Sequence, residues 1–362
     1  MRRITVQKLK QGMVVARAIF SSDGRILLHS GVVLSNSYIK RLGELEIESV
    51  YIRDEIFGDL EYRDVVADET RNNTIRMVRE NFNKLGKNHN LDIRRVKETV
   101  SNIVDELLVN RNILFSLSDI RSFDDYTFAH SVNVCILAIM TGITTGYHHT
   151  QLNELGIGAL LHDIGKMRVN LKILNKPGEL TRDEFSEIKR HPEFGFRILR
   201  EYHDLSLLST HVAFQHHERW DGKGYPRNLA GEKILEYARI VAVADVYDAL
   251  LANRPYRPPY SINQGINILK SMSGIYLDPT YVTALVANIA VYPVGSVVKL
   301  NTGDTGIVID TNREHPNRPV VKVVFNSRGQ KIAHEHEVDL SKLHTIMIVK
   351  TLNEDEIDSF KD

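Results

Sequence analysis

The spacing of apolar residues changes twice along this chain of 362 residues, and these changes limit what it can fold into. Near both ends, short apolar runs are separated by turn residues, a pattern that is typical of strands. Through the middle of the chain, apolar residues recur at three- and four-residue steps, which predicts helices. We therefore expect a mostly α protein, in which an all-helical core is flanked by a small N-terminal α+β module and a C-terminal β-rich module.

The length of the chain also predicts several modules, because one domain usually holds roughly 100–200 residues. We expect the α+β module at residues 1–60, connecting helices at residues 61–118, the helical domain at residues 119–291 and the β-rich module at residues 292–362. The connecting helices carry regular apolar stripes, which would pack on the helical domain. Alternatively, the helices of residues 65–115 pair with those of a second copy and form a homodimer.

Composition argues against several functional classes. The chain has 46 Lys and Arg against 46 Asp and Glu, so it lacks the basic excess expected of a protein that binds polymeric nucleic acid or an anionic membrane surface. Its one cysteine, Cys135, excludes an intrachain disulfide and favours a reducing compartment. No stretch reaches the roughly 20 apolar residues of a spanning helix, and no apolar region of a secretory signal follows the basic N-terminal residues. These features predict a cytoplasmic protein without membrane insertion.

Histidines are concentrated in the helical domain, since nine of the 15 lie between His130 and His217. His162 and Asp163 are adjacent, and neighbours on a helix point about 100° apart, so this pair can serve two sites with the carboxylate as a bridge. Asp245 interrupts an apolar helix, where a carboxylate is costly unless it is paired or coordinated. The candidate metal ligands are His130, His162, Asp163, His191, His216, His217 and Asp245. Five histidines and two aspartates suit iron, manganese or another borderline divalent metal.

Each candidate taken alone has a simpler explanation. A single histidine in a helix is more often a hydrogen-bonded or surface residue than a metal ligand. The doublet of His148 and His149, together with His203 and His211, is expected to be surface or structural. The seven candidates stand out because they share one helical segment with a lysine, Lys166, and with a glycine-rich loop.

The glycine-rich loop covers residues 216–226. Gly222 and Gly224 allow backbone conformations that are closed to other residues. The simpler interpretation is a tight turn after a helix. The functional interpretation is a lip beside the metals that presents Tyr225 and backbone amides to a phosphate.

These motifs resemble the HD-GYP family, the members of the HD superfamily that cleave cyclic di-GMP. The resemblance covers about residues 120–290, near half of the chain. It rests on His162-Asp163, His216-His217-Glu218, Asp221-Gly222-Lys223-Gly224-Tyr225-Pro226, Ala242-Val243-Ala244-Asp245-Val246-Tyr247-Asp248 and Asn253-Arg254-Pro255-Tyr256-Arg257. The motifs are long and occur in order, so the match is specific.

The resemblance implies a centre of two divalent metal ions, iron or manganese. One ion would be held by His130, His162, Asp163 and Asp245, and the other by Asp163, His191, His216 and His217, with Asp163 bridging the two. Some members of the family hold a third metal through a glutamate four residues before the first histidine. Tyr126 occupies that position in this chain, so we expect two metals.

The implied reaction is hydrolysis of cyclic di-GMP to linear pGpG, and to GMP on further cutting. A hydroxide that bridges the two metals would attack the phosphodiester. Asp163 would hold the metals on either side of this nucleophile, and Lys166 would stabilise or protonate the leaving ribose oxygen.

Four further residues are expected to bind the substrate. Arg254 and Arg257 would bind its phosphates, and Tyr225 and Gly224 of the loop would support the phosphates or the guanine. Two alternatives stay open: an HD-type phosphohydrolase that acts on another cyclic nucleotide or dinucleotide, and a non-catalytic sensor of cyclic di-GMP. A third alternative, which is compatible with catalysis, is that the N-terminal module and the helices dock a partner that regulates the catalytic part.

Overall fold

The structure, a computed structural model, describes residues 1–21, 25–45, 47, 49–54, 57, 64–86, 90–115, 126–174, 176, 178–252, 260–358 and 360. The chain divides into two compact units. The first comprises residues 1–64, 112–125 and 289–362, and the second comprises residues 65–111 and 126–288. The division into four consecutive segments that the sequence suggests stays a prediction.

The N-terminal part of the first unit is a small α+β fold. Its core contains Ile4, Val15 and Val50. The side chain of Ser35 accepts a hydrogen bond from the amide of Tyr38 and so caps the first turn of the helix. The elements are β1 (Arg2–Thr5), β2 (Ile19–Phe20), β3 (Ile26–Leu28), α1 (Asn36–Glu44) and β4 (Ser49–Ile52). Strand β1 pairs antiparallel with β4, and β2 pairs antiparallel with β3.

The second unit is built from helices. They are α2 (Asp68–Gly86), α3 (Ile93–Val109), α4 (Tyr126–Thr144), α5 (His149–Leu160), α6 (Leu171–Leu174), α7 (Arg182–Ile188), α8 (His191–Arg200), α9 (Leu207–Gln215), α10 (Glu236–Leu251), α11 (Ile262–Met272) and α12 (Pro279–Val286). A short 3-10 helix, Ile164–Arg168, follows α5, and another, Gly231–Lys233, precedes α10.

Helix α5 is packed on several sides by α3, α4 and α9. Two glycines make this possible. A Cβ atom on Gly156 would lie 2.7 Å from Val100 of α3, and one on Gly158 would lie 2.7 Å from Val212 of α9. Larger side chains would push these neighbours away. The C-terminal end of α5 is therefore held deep in the second unit, and the chain that leaves it carries His162 and Asp163.

The apolar stripes of α2 and α3 are buried within the second unit. Helix α3 turns Val96, Val100 and Val104 inward, and it packs on α4 and α5, while α2 packs on α3 and α4. This arrangement matches the simpler of the two expectations for these helices. The homodimer through residues 65–115 stays a prediction.

The C-terminal part of the first unit is an antiparallel sheet. Its elements are β5 (Val297–Leu300), β6 (Thr305–Asp310), β7 (Val320–Phe325), β8 (Lys331–Asp339) and β9 (Ile348–Thr351), followed by the helix α13 (Glu354–Asp358). The strand order is β8-β7-β6-β5-β9. Successive residues face opposite sides of the sheet, so Val298 and Val308 enter one apolar cluster while Val297 and Ile307 enter another.

The two parts of the first unit are joined by polar and apolar contacts. The backbone amide of Thr5 donates a hydrogen bond of 2.9 Å to the carboxylate of Glu354, and the Thr5 hydroxyl donates a second one of 3.0 Å. Phe57 packs edge-on against Phe325, with ring centroids 6.3 Å apart. Residues from both ends of the chain therefore share one unit.

The predicted fold class is confirmed: a helical core accompanies small N-terminal strands and a C-terminal antiparallel sheet. Within the described part of the chain, no helix combines the length and the apolar character that crossing a membrane requires.

Candidate metal centre

Several elements of the second unit meet at the candidate ligands. His130 lies on α4, and Asp245 lies on α10. His162 and Asp163 lie in the turn between α5 and the 3-10 helix that follows it, and His191 is the first residue of α8. His216 and His217 directly follow α9. The structure thus brings together all seven side chains that the sequence singled out.

The seven residues form two groups, and in each group the ligand atoms lie within 4.8 Å of one another. The groups are Asp163 with His191, His216 and His217, and His130 with His162 and Asp245.

Asp163 contacts both groups through its two carboxylate oxygens. Its Oδ2 lies 3.3 Å from Nε2 of His162, whereas its Oδ1 lies 3.4 Å from Nε2 of His191 and 3.8 Å from Nε2 of His216. Asp163 therefore lies where a bridging ligand would have to be.

Hydrogen bonds on the far side of the rings set the histidine tautomers. Nδ1 of His162 lies 2.7 Å from the carbonyl oxygen of Ala159, and Nδ1 of His191 lies 2.7 Å from that of Ile188. Nδ1 of His216 lies 3.0 Å from the carbonyl oxygen of Ala213. Carbonyl oxygens only accept, so each Nδ1 carries the proton and each Nε2 of a neutral ring presents a lone pair. In this tautomer, Nε2 is the atom available to a metal.

Burial keeps most of these rings neutral. Burial lowers the pKa of His191 to about 4 and the pKa of His217 to about 3, and it lowers the pKa of His216 well below the usual range. The Asp163 carboxyl responds differently. Burial acts to raise its pKa, but Lys166 and His162 outweigh burial and hold the pKa well below its usual range. The group of Asp163, His191, His216 and His217 therefore combines neutral imidazoles with an ionised carboxylate, which is the protonation state that metal binding requires.

The centre also contains buried polar atoms that lack partners. Among the described residues, Nε2 of His162 and Oδ1 of Asp163 are buried and make no hydrogen bond. Such atoms are costly to bury unless something coordinates them. Both belong to the candidate ligand set, so the residues of this centre fit divalent metal ions.

His130 is oriented by a carboxylate that the sequence-based interpretation gave no role. Its Nδ1 lies 2.7 Å from Oδ2 of Asp248, and its Nε2 lies 3.1 Å from Oδ1 of Asp245. Burial lowers the pKa of His130, but the hydrogen bonds to Asp245 and Asp248 outweigh burial and raise that pKa to about 9. Asn133 in turn donates a hydrogen bond of 2.9 Å to Oδ1 of Asp248.

A signal for these two supporting residues is present in the sequence. Asp248 follows Asp245 by three residues, and Asn133 follows His130 by three residues, so each shares a helix face with a candidate ligand. A polar residue at this spacing on an otherwise apolar helix is the pattern that could have identified them.

Gly165 brings the 3-10 helix into direct contact with α8. A Cβ atom at this position would lie 1.9 Å from the carbonyl oxygen of His191 and 2.5 Å from the amide nitrogen of Gly195. Only glycine permits this approach. The contact places His191 beside Asp163, and it gives the glycine that follows the His162-Asp163 pair a physical function.

Lys166, the predicted catalytic lysine, points its ammonium at the centre. Its Nζ lies 2.5 Å from Oδ2 of Asp163, and its side chain is 24% exposed. It is therefore paired with the candidate bridging ligand and still accessible from solvent.

The glycine-rich loop folds back on the residues that follow α9. A Cβ atom on Gly224 would lie 2.3 Å from the backbone nitrogen of Arg219, so this position requires glycine. The buried carboxylate of Glu218 accepts hydrogen bonds from the amides of Arg227 at 2.7 Å and Leu229 at 3.0 Å. These contacts hold the loop closed, and Glu218 is a third supporting residue to which the sequence-based interpretation gave no role.

Tyr225 of this loop lies against a candidate ligand. Its ring stacks on the His217 ring, with centroids 4.8 Å apart. The ammonium of Lys189 lies 5.2 Å from the centroid of the Tyr225 ring. Burial raises the pKa of the Tyr225 phenol, which is therefore neutral near pH 7. Tyr225 thus lies at the edge of the centre, where a substrate contact is expected.

Two predicted substrate-binding residues, Arg254 and Arg257, lie outside the described residues. The side chain of Tyr126 is also outside them, although its backbone begins α4. His148 and His149 contact residues outside both ligand groups. His148 caps α5, and Nε2 of the exposed His149 lies 2.9 Å from Oδ1 of Asp105.

Two family models match the chain. A model described as an HD domain matches residues 102–281, and one described as a KOW domain associated with HD domain matches residues 297–360. The matched HD region contains all seven candidate ligands.

Relatives of the chain carry names that refer to cyclic dinucleotides. A cyclic di-GMP phosphodiesterase of Pseudomonas aeruginosa is 38% identical over 252 residues, which are 70% of this chain and 61% of that protein. A cyclic di-GMP phosphodiesterase of Thermotoga maritima is 37% identical over 216 residues, 59% of this chain and 58% of that protein. A 3'3'-cGAMP-specific phosphodiesterase of Vibrio cholerae is 32% identical over 190 residues, 52% of this chain and 36% of that protein.

The chain spans less than two thirds of the length of each of these three relatives. The family expected from the motifs is nevertheless confirmed: through residues 102–281, this chain belongs to the HD domain family.

Proposed function

We propose that this chain is a metal-dependent phosphodiesterase that hydrolyses cyclic di-GMP to linear pGpG, with GMP as the product of further cutting. The observation that carries the proposal is the pair of ligand groups that share Asp163, with imidazole Nε2 atoms turned toward the carboxylate. The names of the relatives from Pseudomonas aeruginosa and Thermotoga maritima support the choice of cyclic di-GMP.

Two metal ions, iron or manganese, are proposed for the centre. A set of imidazoles and carboxylates suits these borderline metals. When bound, they would supply Lewis-acid neutralisation of phosphoryl charge and activation of water. The seven ligands would be divided as the resemblance implies, with Asp163 in both sets. A third metal is not proposed, because Tyr126 stands where some family members carry a glutamate.

Lys166 is proposed to assist the departure of the ribose oxygen. Its ammonium is held 2.5 Å from Asp163, so it lies beside the position where the phosphodiester would be cleaved. A positive group there stabilises negative charge that develops on the leaving oxygen, and it can also donate a proton to that oxygen. The ion pair with Asp163 keeps the Lys166 ammonium in place.

The substrate phosphates and bases are proposed to contact the rim of the centre. Tyr225 offers a neutral phenol and a half-buried ring next to His217. Gly224 lets the loop fold close to the backbone of Arg219 and so places Tyr225 at this edge. Arg254 and Arg257 would bind the two phosphates of the substrate.

The proposal is tested by purifying the chain anaerobically, measuring its metal content and separating the products formed from cyclic di-GMP. The His162→Ala/Asp163→Ala variant removes ligands from both groups, so bound metal and turnover should be lost together. An exposed His–Asp pair provides a matched control, because His149→Ala/Asp105→Ala changes the same residue types away from the centre. Full turnover in the metal-free His162→Ala/Asp163→Ala variant would refute the proposal.

A second candidate substrate is 3'3'-cGAMP, which the name of the Vibrio cholerae relative specifies. Parallel assays with cyclic di-GMP and 3'3'-cGAMP at equal concentration would rank the two by kcat/KM. Binding of cyclic di-GMP without product, after long incubation with iron or manganese, would instead favour a sensor.

A further inference from the structure

We infer that Arg71 is a positioning residue for the candidate ligand His130, although it lies on a helix outside the part of the chain that the HD domain model matches. Arg71 belongs to α2, and the matched residues begin at residue 102. The inference rests on the metal centre of the proposed function.

A continuous line of hydrogen bonds connects Arg71 to His130. Nη1 of Arg71 donates to Oδ1 of Asn133 at 2.9 Å, and Nδ2 of Asn133 donates to Oδ1 of Asp248 at 2.9 Å. The other oxygen of Asp248 lies 2.7 Å from Nδ1 of His130. The line therefore crosses from α2 through α4 to α10 and returns to α4.

All members of this line are removed from solvent. Arg71 is 6% exposed, Asn133 is 2% exposed, Asp248 is 0% exposed and His130 is 5% exposed. In such an environment each lost hydrogen bond leaves a polar group without a solvent partner, so the members depend on one another.

The chemistry of the groups gives the line a direction. A guanidinium only donates, so it requires the oxygen end of the Asn133 side chain. The amide nitrogen of Asn133 must then face Asp248, where it can donate. Without Arg71, the side-chain amide of Asn133 could rotate by about 180°, and its oxygen would then face the Asp248 carboxylate.

In the neutral ring that a metal requires, the orientation of Asp248 determines which nitrogen of His130 carries the proton. A carboxylate next to Nδ1 favours a proton on that atom and leaves Nε2 to face Asp245 and His162. Arg71 therefore acts on the ligand set through two intermediates, and helix α2 influences the His130 group without contributing a ligand.

The effect of Arg71 is measured as a change in the dissociation constant of Co²⁺, which is added to the full chain as the only metal. In the His191→Ala background the His130 group keeps all its side chains, and in the His130→Ala background the Asp163 group keeps all of its own. Loss of a hydrogen-bond partner of a metal ligand lowers metal affinity about 10–100-fold. Arg71→Met should therefore raise the Co²⁺ dissociation constant about tenfold in the first background. It should leave the dissociation constant unchanged in the second background.

Two further variants separate positioning from general damage. Arg79→Met removes another α2 arginine that faces α4, where it lies 5.6 Å from the centroid of the Phe128 ring, and it should not change Co²⁺ affinity. If Arg71→Met does not fold, Asn133→Ser interrupts the same line and should produce the same loss confined to the His130 group. Arg71→Lys retains a donor and should recover most of the affinity.

An equal loss in both backgrounds, or no loss in the His191→Ala background, would overturn the role of Arg71 and leave the proposed function intact. A wild-type chain that binds no Co²⁺ at these residues would overturn the proposed function and this inference together.

Discussion

Replacing Gly165 with alanine should damage the metal centre without removing any ligand. The added Cβ atom would lie 1.9 Å from the carbonyl oxygen of His191 and 2.5 Å from the amide nitrogen of Gly195. Both neighbours are backbone atoms, so no side-chain rotation can relieve the overlap. The 3-10 helix and the first turn of α8 must move apart.

The size of the effect follows from these distances. Real Cβ atoms hardly ever lie within 3.0 Å of another atom, so the two backbone segments must separate by about 1 Å. Overpacking of this kind costs about 1–3 kcal/mol of stability. Nε2 of His191 now lies 3.4 Å from Oδ1 of Asp163, and a shift of about 1 Å at a reacting site lowers turnover about 100-fold.

The assay compares Gly165→Ala with Gly142→Ala in three measurements: thermal unfolding, Mn²⁺ affinity and kcat for cyclic di-GMP. Gly142 is a matched control, because the three atoms nearest to its Cβ atom would be side-chain atoms of Leu152, Leu155 and Tyr147, the nearest at 2.9 Å. We expect both variants to lose stability, but only Gly165→Ala to lose metal affinity and turnover. A Gly165→Ala variant with wild-type affinity and kcat would show that the close approach to His191 does not position the ligands.

Three more predictions concern single features of the same unit. Lys166→Met should keep bound metal but lower turnover about 10²–10⁴-fold, as measured by metal analysis and product chromatography, and an unchanged rate would remove its assigned role. Glu218→Gln leaves one side-chain oxygen for the amides of Arg227 and Leu229, so these two amides should exchange hydrogen faster by an amount that corresponds to about 1–3 kcal/mol; unaltered exchange would contradict that function. Chelation of metal should lower the unfolding temperature of the wild-type chain but not of Asp163→Ala, because a ligand present at 100 times its Kd stabilises the folded state by about 2.7 kcal/mol.

The candidate ligands could be identified from the sequence because their chemistry is distinctive. A histidine next to an aspartate, a histidine doublet and a carboxylate inside an apolar helix are each conspicuous, and they fall within one segment. Asp163 contacts both groups, as expected from its place next to His162, but the two residues lie in a turn and not on the helix that the expectation assumed.

The supporting residues were harder to recognise. Asp248, Asn133 and Glu218 act through hydrogen bonds to other groups, and residues of these types are mostly exposed in folded proteins. Their role depends on burial, which a single sequence does not reveal. The close contact of Gly165 with α8 has the same character, because it joins positions whose proximity only the folded chain determines.

The grouping of the chain into units also depends on contacts between distant residues. Thr5 and Glu354 lie at opposite ends of the sequence, yet they share two hydrogen bonds. Hydrophobic periodicity describes each element alone and contains no information about such pairing. For this reason, the sequence indicates the kinds of module but not which of them form one compact body.

The first unit is assembled from both ends of the chain, and residues 65–111 and 126–288 lie between its parts in the sequence. A fragment that stops before residue 289 would lose the whole β5–β9 sheet, and its N-terminal strands would be left without Phe325 as a neighbour of Phe57. A fragment cut to residues 102–281 would lack α2 and with it Arg71. A transferred helical region should therefore begin before α2, and truncated versions should be tested for solubility and metal retention before their kinetics are interpreted.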